Sequence, residues 1–251
     1  MLAGIILNYN TPELTDAIYE QLAKYKCDDF ELWVHDNGSD ENKTSKYSTS
    51  WTKDNYRIAG GWNRAVKNTI GWCKFHKFKA KYLWLITNDT QWEVGEPLRL
   101  VNIMEQNPQI GMLHPSLTLD SPTGWRNMLH QPARILSYEW MIDIIAPVIR
   151  ADVWKMVGGF DENFSRGWGM DWDFCYKMYK KGYVGAVDHQ TQMRHLLGGT
   201  YRSGKADEPD DIRTVKAEEE AEKYLSAKHG GNWREDIRIH NQRKIDKYLG
   251  L

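Results

Sequence analysis

The side chains best suited to chemistry in this 251-residue chain are a few carboxylates and one imidazole. Asp36 follows the run Phe30 to His35, Asp89 follows Lys81 to Thr87, Asp171 and Asp173 open a helical pattern, and His195 stands further on. Asp89, a member of the Asp171/Asp173 pair and His195 would together suit a hard cation, since Mg2+ and Mn2+ prefer oxygen ligands and Mn2+ accepts imidazole. Such a cation typically neutralises phosphates. Asp171 and Asp173 lie about 200° apart around a helix, so one is a candidate base and the other a cap or solvent residue. Taken singly, each has an ordinary alternative: a turn or cap role for Asp36 and Asp89, and a plain loop histidine for His195.

Other chemistries are excluded. The loop after the first apolar run, Asn8-Tyr9-Asn10-Thr11, contains no G-x-G-x-x-G, and no G-x-x-x-x-G-K-[ST] occurs anywhere, so dehydrogenase-type dinucleotide sites and P-loops are ruled out. Cys27, Cys73 and Cys175 are odd in number and form no CxxC, which argues against a disulfide framework or a zinc site and for buried thiols. Lys and Arg number 33 against 34 Asp and Glu, a net charge of -1 with no global basic field for nucleic acid or a membrane surface. The most apolar stretches, Tyr82 to Ile86 and Met141 to Ile149, fall far short of the roughly 20 residues of a spanning helix, so no membrane-spanning segment is expected. Met1 to Leu7 has neither the basic start nor the cleavage region of a signal peptide, and a cytoplasmic location is the expectation. Twelve Trp and 13 Tyr suit a large core and equally suit stacking on bases and sugar rings.

The elements that position these residues follow from periodicity. Leu2 to Leu7 reads as a strand. Thr11-Pro12-Glu13 then starts a helix carrying Leu14, Ile18, Leu22 and Tyr25 on one face. Phe30 to His35 is a second strand and ends in the turn-formers Asp36-Asn37-Gly38-Ser39. A helix from about Trp62 to His76, a strand at Lys81 to Thr87, a helix around Leu98, Val101 and Met104 and a strand at Gln109 to Leu113 complete a β-α-β-α-β-α-β series. That alternation predicts an α/β fold with a mostly parallel sheet flanked by helices, and ligands beyond the carboxyl ends of its strands. Residues 115 to 135 read as a long loop, Ile135 to Ile149 as one long strand, and Ala151 to Val157 and Met170 to Lys181 as helices. Beyond residue 205, two amphipathic helices are expected at 211 to 228 and 234 to 249, separated by Gly230-Gly231.

Asn8-Tyr9-Asn10, Asp36-Asn37-Gly38-Ser39-Asp40, Asn55 through Gly60-Gly61-Trp62-Asn63-Arg64, Asn88-Asp89-Thr90, Gly158-Gly159-Phe160-Asp161-Glu162-Asn163-Phe164, Trp168-Gly169-Met170-Asp171-Trp172-Asp173 and His195 resemble, in order, the signature positions of family 2 glycosyltransferases of the GT-A fold. The resemblance implies a GT-A domain over residues 1–204, with a nucleotide-binding half at 1–115 and an acceptor and catalytic half at 116–204. The helical extension at 205–251 lies outside it, to cover the core or mediate self-association into a homo-oligomer. It implies an inverting transfer of a hexose from a UDP-sugar or dTDP-sugar to a carbohydrate hydroxyl, assisted by Mn2+ or Mg2+. Asn8, Tyr9, Asn10, Thr11 and Asp36 would hold base and ribose, with Asp36 accepting from the pyrimidine N–H. Gly60, Gly61 and Asn63 would let backbone approach the donor. Asn88-Asp89-Thr90 matches the family's DXD-like motif, with Asp89 and His195 as metal ligands, and Asp171 matches the base, preceded by Trp168 and Gly169.

The chain departs from the family pattern in three places: Asn88 replaces a first acidic residue, Met170 replaces the acid before the base, and Arg57 stands where a small residue is usual, adding a phosphate contact. Two rivals stay open. A non-catalytic nucleotide-sugar-binding protein is favoured by Asn88 and Met170 and disfavoured by Asp89, Asp171 and His195. A nucleotidyltransferase would need a basic, glycine-rich loop after the first strand, which Asn8-Tyr9-Asn10-Thr11 is not.

Overall fold

β1 (Leu2–Asn8) is apolar along both faces, which suits only a strand covered on both sides. In the computed structural model it lies between β2 (Phe30–Asn37) and β4 (Tyr82–Thr87), parallel to both, with Asn8 in register with Asp36. The structure describes residues 1–164, 167–196 and 210–249. These form a nine-stranded sheet completed by β3 (Ser48–Thr52), β5 (Thr90–Val94), β6 (Ile110–Leu117), β7 (Leu136–Glu139), β8 (Val148–Arg150) and β9 (Val184–His195). Its order is β3-β2-β1-β4-β8-β6-β9-β5, with β7 paired to the first half of β9. The chain runs outward from β1 through β2 to β3 and returns to β4 on the other side of β1. The carboxyl ends of β1 and β4 therefore flank a topological switch point, where open α/β sheets bind ligands.

The helices explain why that edge is polar and the rest apolar. α1 (Pro12–Leu22) starts on a proline whose missing N–H costs nothing at a helix start, and it buries Thr15, Ile18 and Leu22 against the sheet. α2 (Arg57–Phe75) buries Ala59, Trp62, Ala65, Val66 and Cys73 on one face. α3 (Pro97–Gln106), α4 (Ala151–Val157) and α5 (Met170–Lys180) follow the sequence expectation to within a few residues. α6 (Asp210–His229) and α7 (Trp233–Leu249) are also present, joined by a turn in which Gly230 takes φ +95. Ala217, Ala221, Leu225, Trp233 and Ile237 of these two helices are buried, and Trp233 meets Trp172 edge-on at 4.8 Å. No helix among the described residues is long and apolar enough to cross a membrane.

The expected α/β fold with a mostly parallel sheet flanked by helices is present, and the sheet has antiparallel members: β8 runs antiparallel between β4 and β6, and β5 and β7 run antiparallel to β9. Other expectations are corrected. The run Ile135 to Ile149 is two short strands, β7 and β8, separated by an irregular stretch at 140–147 that carries Asp143. The 115–135 segment is not all loop, since β6 continues to Leu117. β9 escapes the apolar-run criterion because it buries Asp188, His189 and Thr191, and Asp188 is satisfied by Arg99 at 3.0 Å. α2 begins at Arg57, so Gly60 and Gly61 are helical. Cys27 is exposed, while Cys73 and Cys175 are buried as expected.

Candidate active site

Polar side chains at the switch point hold one another. Asn8 donates from Nδ2 to Asp36 Oδ2 at 2.7 Å and to the Lys43 carbonyl at 3.1 Å, and its Oδ1 accepts from Thr15 Oγ1 at 2.7 Å. One amide thus ties β1, the loop after β2 and α1 together. Asp36 also accepts from the Ser39 N–H at 2.9 Å and hydroxyl at 2.8 Å. Asn10, at φ +57, donates its backbone N–H to Ser39 Oγ at 2.9 Å and accepts at Oδ1 from the Asp40 N–H at 2.7 Å. Asn88 donates to Thr11 Oγ1 at 2.7 Å and Thr15 Oγ1 at 2.9 Å, so this amide is a brace between β4 and α1. Tyr9 is half-buried between Asn8 and Asn10.

Asp89 and His195 are brought together by pairing. Antiparallel β5 and β9 place His195 opposite Thr90, and the Leu196 N–H donates to the Asp89 carbonyl at 2.8 Å. His195 Nε2 then lies 3.4 Å from Asp89 Oδ2. Its other nitrogen, Nδ1, is 3.1 Å from the Pro122 carbonyl, which can only accept. That contact fixes Nδ1 as the protonated nitrogen of the neutral ring and turns the Nε2 lone pair toward Asp89. Burial alone would lower the His195 pKa, but the Asp89 carboxylate outweighs it and the net shift is upward. A carboxylate and an oriented imidazole fit Mn2+, which accepts mixed oxygen and nitrogen ligands more readily than Mg2+ does. Among the described residues no three His, Cys, Asp or Glu side chains group closely enough to hold a metal alone. Further ligands would have to come from a bound anion or water.

Asp171 sits in the first turn of α5 and accepts the Trp172 N–H at 2.9 Å. Burial first, and the charge of Asp143 second, hold its carboxyl well above the usual carboxylate range. Asp143 is raised as well, chiefly by burial, and is within electrostatic reach of Asp89 and His195. It connects the two halves of the site. The sequence reading missed it, although a signal existed: it is the one charge in the run Met141 to Ile149. Trp172, next to Asp171 in the chain, forms a half-buried cluster with Trp125 and Trp140, 5.0 Å from the first and 5.1 Å from the second.

Other expected site residues have structural work. Gly61 leaves room for Asn37, whose Nδ2 would lie 2.7 Å from an added Cβ, and Asn37 in turn donates to the Arg57 carbonyl at 2.9 Å. Gly60 is buried in the same helix. Arg57 takes φ +57 at the start of α2, where its N–H donates to Asn55 Oδ1 at 2.7 Å. Asn63 clasps Phe160, donating to its carbonyl and accepting its N–H, both at 2.9 Å. Gly169 takes φ +87, and a Cβ there would meet Phe164 at 2.8 Å and Ala221 of α6 at 2.9 Å. Trp168, just before it, is partly exposed.

Asp173 corrects an expectation. It is no cap or solvent residue: it is 0% exposed, hydrogen-bonds His229 at 2.7 Å and forms ion pairs with Lys228 at 2.8 Å and Lys177 at 2.9 Å. Lys228 also reaches Asp161, which accepts the Tyr224 hydroxyl at 2.9 Å. The helix thus turns Asp171 toward Asp143 and Asp173 toward α6.

No family model matches the sequence, and no curated protein matches it. Solved structures do. GalNAc-T7 with UDP, GalNAc and Mn2+ aligns over 95% of this chain and 55% of its own, with TM-score 0.63 and 13% identity. The mannosyltransferase PcManGT from Pyrobaculum calidifontis, in complex with GDP-Man and Mn2+, aligns over 99% of this chain and 75% of its own, with TM-score 0.55 and 14% identity. S. aureus TarS aligns over 90% of this chain and 43% of its own, with TM-score 0.55 and 14% identity. The chain therefore spans about half the length of GalNAc-T7 and less of TarS. Likeness at this identity is one of architecture, and the chain has the mixed α/β fold of GT-A glycosyltransferase structures.

Proposed function

We propose that the chain is a metal-assisted, inverting glycosyltransferase that moves a hexose from a pyrimidine nucleotide-diphosphate sugar to a carbohydrate hydroxyl. The observation that carries this reading is the adjacency of two unlike sites at one sheet edge. Asp89 and His195, 3.4 Å apart, suit a cation, while Asp171 and Asp143 keep a carboxylate of raised basicity beside them. Asp89 and His195 would hold Mn2+ or Mg2+, which offsets charge on a leaving diphosphate. Asp171 would take the proton from the acceptor hydroxyl as its oxygen bonds to the anomeric carbon and the diphosphate departs from the opposite face, a single displacement that inverts. The Trp125, Trp140 and Trp172 edges offer an apolar platform to a sugar ring, which favours a glycan acceptor.

The test is turnover of a nucleotide-sugar panel with Mn2+ and with EDTA. Metal-dependent transfer or hydrolysis is expected, and Asp89→Ala and His195→Ala should each weaken Mn2+-dependent UDP binding. A binding-only protein is the second reading, favoured by Asn88, which is engaged as a brace rather than offered as an acidic ligand. Binding without turnover of any donor decides for it; unchanged metal and UDP binding in both variants removes the metal assignment.

The base preference rests on Asp36. Its Oδ1 accepts one hydrogen bond, from Ser39, and a carboxylate oxygen has capacity for another, such as a pyrimidine N3–H. Calorimetry should therefore show tighter binding of UDP or dTDP than of GDP or ADP. Equal or tighter GDP binding sinks the pyrimidine preference and leaves the reaction class standing.

A further inference from the structure

The carboxyl end of α2 and the turn after it read Lys67-Asn68-Thr69-Ile70-Gly71-Trp72-Cys73-Lys74-Phe75-His76-Lys77-Phe78-Lys79-Ala80-Lys81. The segment holds five lysines and no acid in a chain of net charge -1, so the even overall balance conceals a local basic region. All five are exposed. The acids that face it are already occupied: Glu31 by Lys26 and Glu105 by Lys81, each at 2.5 Å. Lys67, Lys74, Lys77 and Lys79 are left to the solvent.

Between these lysines the aromatic rings point outward. Phe75 is 82% exposed, Phe78 49% and Trp72 39%, with Ile70 beside them at 39%. They are held in place. Trp72 packs edge-on against buried Trp33 at 5.4 Å, Phe78 stacks on Trp72 at 6.2 Å and 12°, and His76 covers Trp72 at 3.9 Å. The helix closes with the Phe78 N–H on the Cys73 carbonyl at 2.8 Å while Lys77 takes φ +61. This is the Schellman closure, with a lysine in the left-handed position that glycine usually fills. The rings and charges therefore form a fixed knuckle.

We infer that this knuckle docks the protein on an anionic lipid surface, with Phe75 and Phe78 entering the headgroup and acyl boundary and the lysines pairing with lipid phosphates. The chemistry favours lipid over other polyanions. Phe75 and Phe78 carry no polar group to read a base, and the charges are all lysines, whose apolar stems lie along the boundary while the ammonium groups reach the phosphates. Each lysine near such a surface adds an increment that salt screens. The knuckle is also remote from the chemistry. α2 starts at the switch-point edge and its last residue, Phe75, lies about 27 Å along the helix axis from Arg57. The inference does not depend on which reaction the crevice performs.

Sedimentation of the full chain with phosphatidylcholine vesicles, with and without phosphatidylglycerol, tests it. Binding is expected only with phosphatidylglycerol and should weaken with salt. Lys74→Glu with Lys79→Glu should reduce partitioning by about 30-fold or more, and Phe75→Ser by about tenfold. These side chains are exposed, so near-ultraviolet circular dichroism should match the parent. Equal binding to both vesicle types, or parent-like binding by both variants, overturns the inference. A concentration-dependent dimer in the ultracentrifuge that Phe75→Ser abolishes also overturns it, because the knuckle would then be covered by a second copy.

Discussion

Asp171→Asn is expected to lower turnover by about 10² to 10⁴ while UDP and Mn2+ binding stay near the parent values. In the proposed reading the change removes the proton acceptor, whereas the donor contact at Asp36 and the metal contacts at Asp89 and His195 would be made from other elements. The pH profile adds a second readout. A base works ionised, and Asp171 is held above the ordinary carboxylate range by burial and by Asp143. The rate in the parent should therefore rise with pH through a midpoint above that range. Asp143→Asn removes the like charge, so the midpoint should move down. Parent-like turnover in Asp171→Asn would remove the main support for catalysis and put the binding protein ahead; a midpoint unmoved in Asp143→Asn would show that the two carboxylates do not interact.

Asp173→Asn should act on stability. Its carboxylate is surrounded by Lys228, Lys177 and His229, and removal of one member of a buried ion cluster leaves the others uncompensated, at about 3–5 kcal/mol. For a chain of this size that corresponds to a Tm lower by roughly 10 °C. Burial alone would raise the Asp173 pKa, but Lys228, Lys177 and His229 outweigh it and the folded value is lowered. Its stabilisation is therefore present above the unfolded carboxylate value, near ~3.9, and is lost as pH falls through the lower folded one. Thermal unfolding at neutral and at acid pH should show the gap between parent and variant narrowing in acid. A parent-like Tm at neutral pH would mean that α6 is held by its apolar contacts and by Asp161, without need of the Asp173 cluster.

How much of this was legible in the sequence depends on how local the determinants are. β1, β2, β4 and helices α1 to α5 announce themselves by apolar period and by Pro12 or Pro97 at a helix start, because each buries a face that its own residues define. β5 and β9 do not. Asp188, His189 and Thr191 are buried polar groups whose partners, such as Arg99, lie far away in the chain, so the apolar pattern breaks where the sheet does not. In the site, Asp89, Asp171 and His195 stood out by residue type, and the resemblance placed them in order. Nothing local could tell that Asn88 is a brace or that Asp173 is the anchor of α6. Their roles are set by Thr11, Thr15, Lys228 and His229, which only the fold brings near.

The 12-residue strand β9 carries a consequence for how the molecule is made. Its first half zips to β7, its second half to β5, and most of its length to β6, so one late segment closes three ladders at once. During synthesis the parallel unit of β1, β2 and β4 can form early from nearby residues, but β5 waits with an open edge until residues 192–195 emerge. Such long-range closure is slow and leaves unpaired strand exposed to other chains in the meantime. Asp89 meets His195 only when that ladder closes, so capture of a metal ion by the proposed pair would coincide with closure of the sheet, and an ion present during refolding would favour the closed sheet over its half-made precursors.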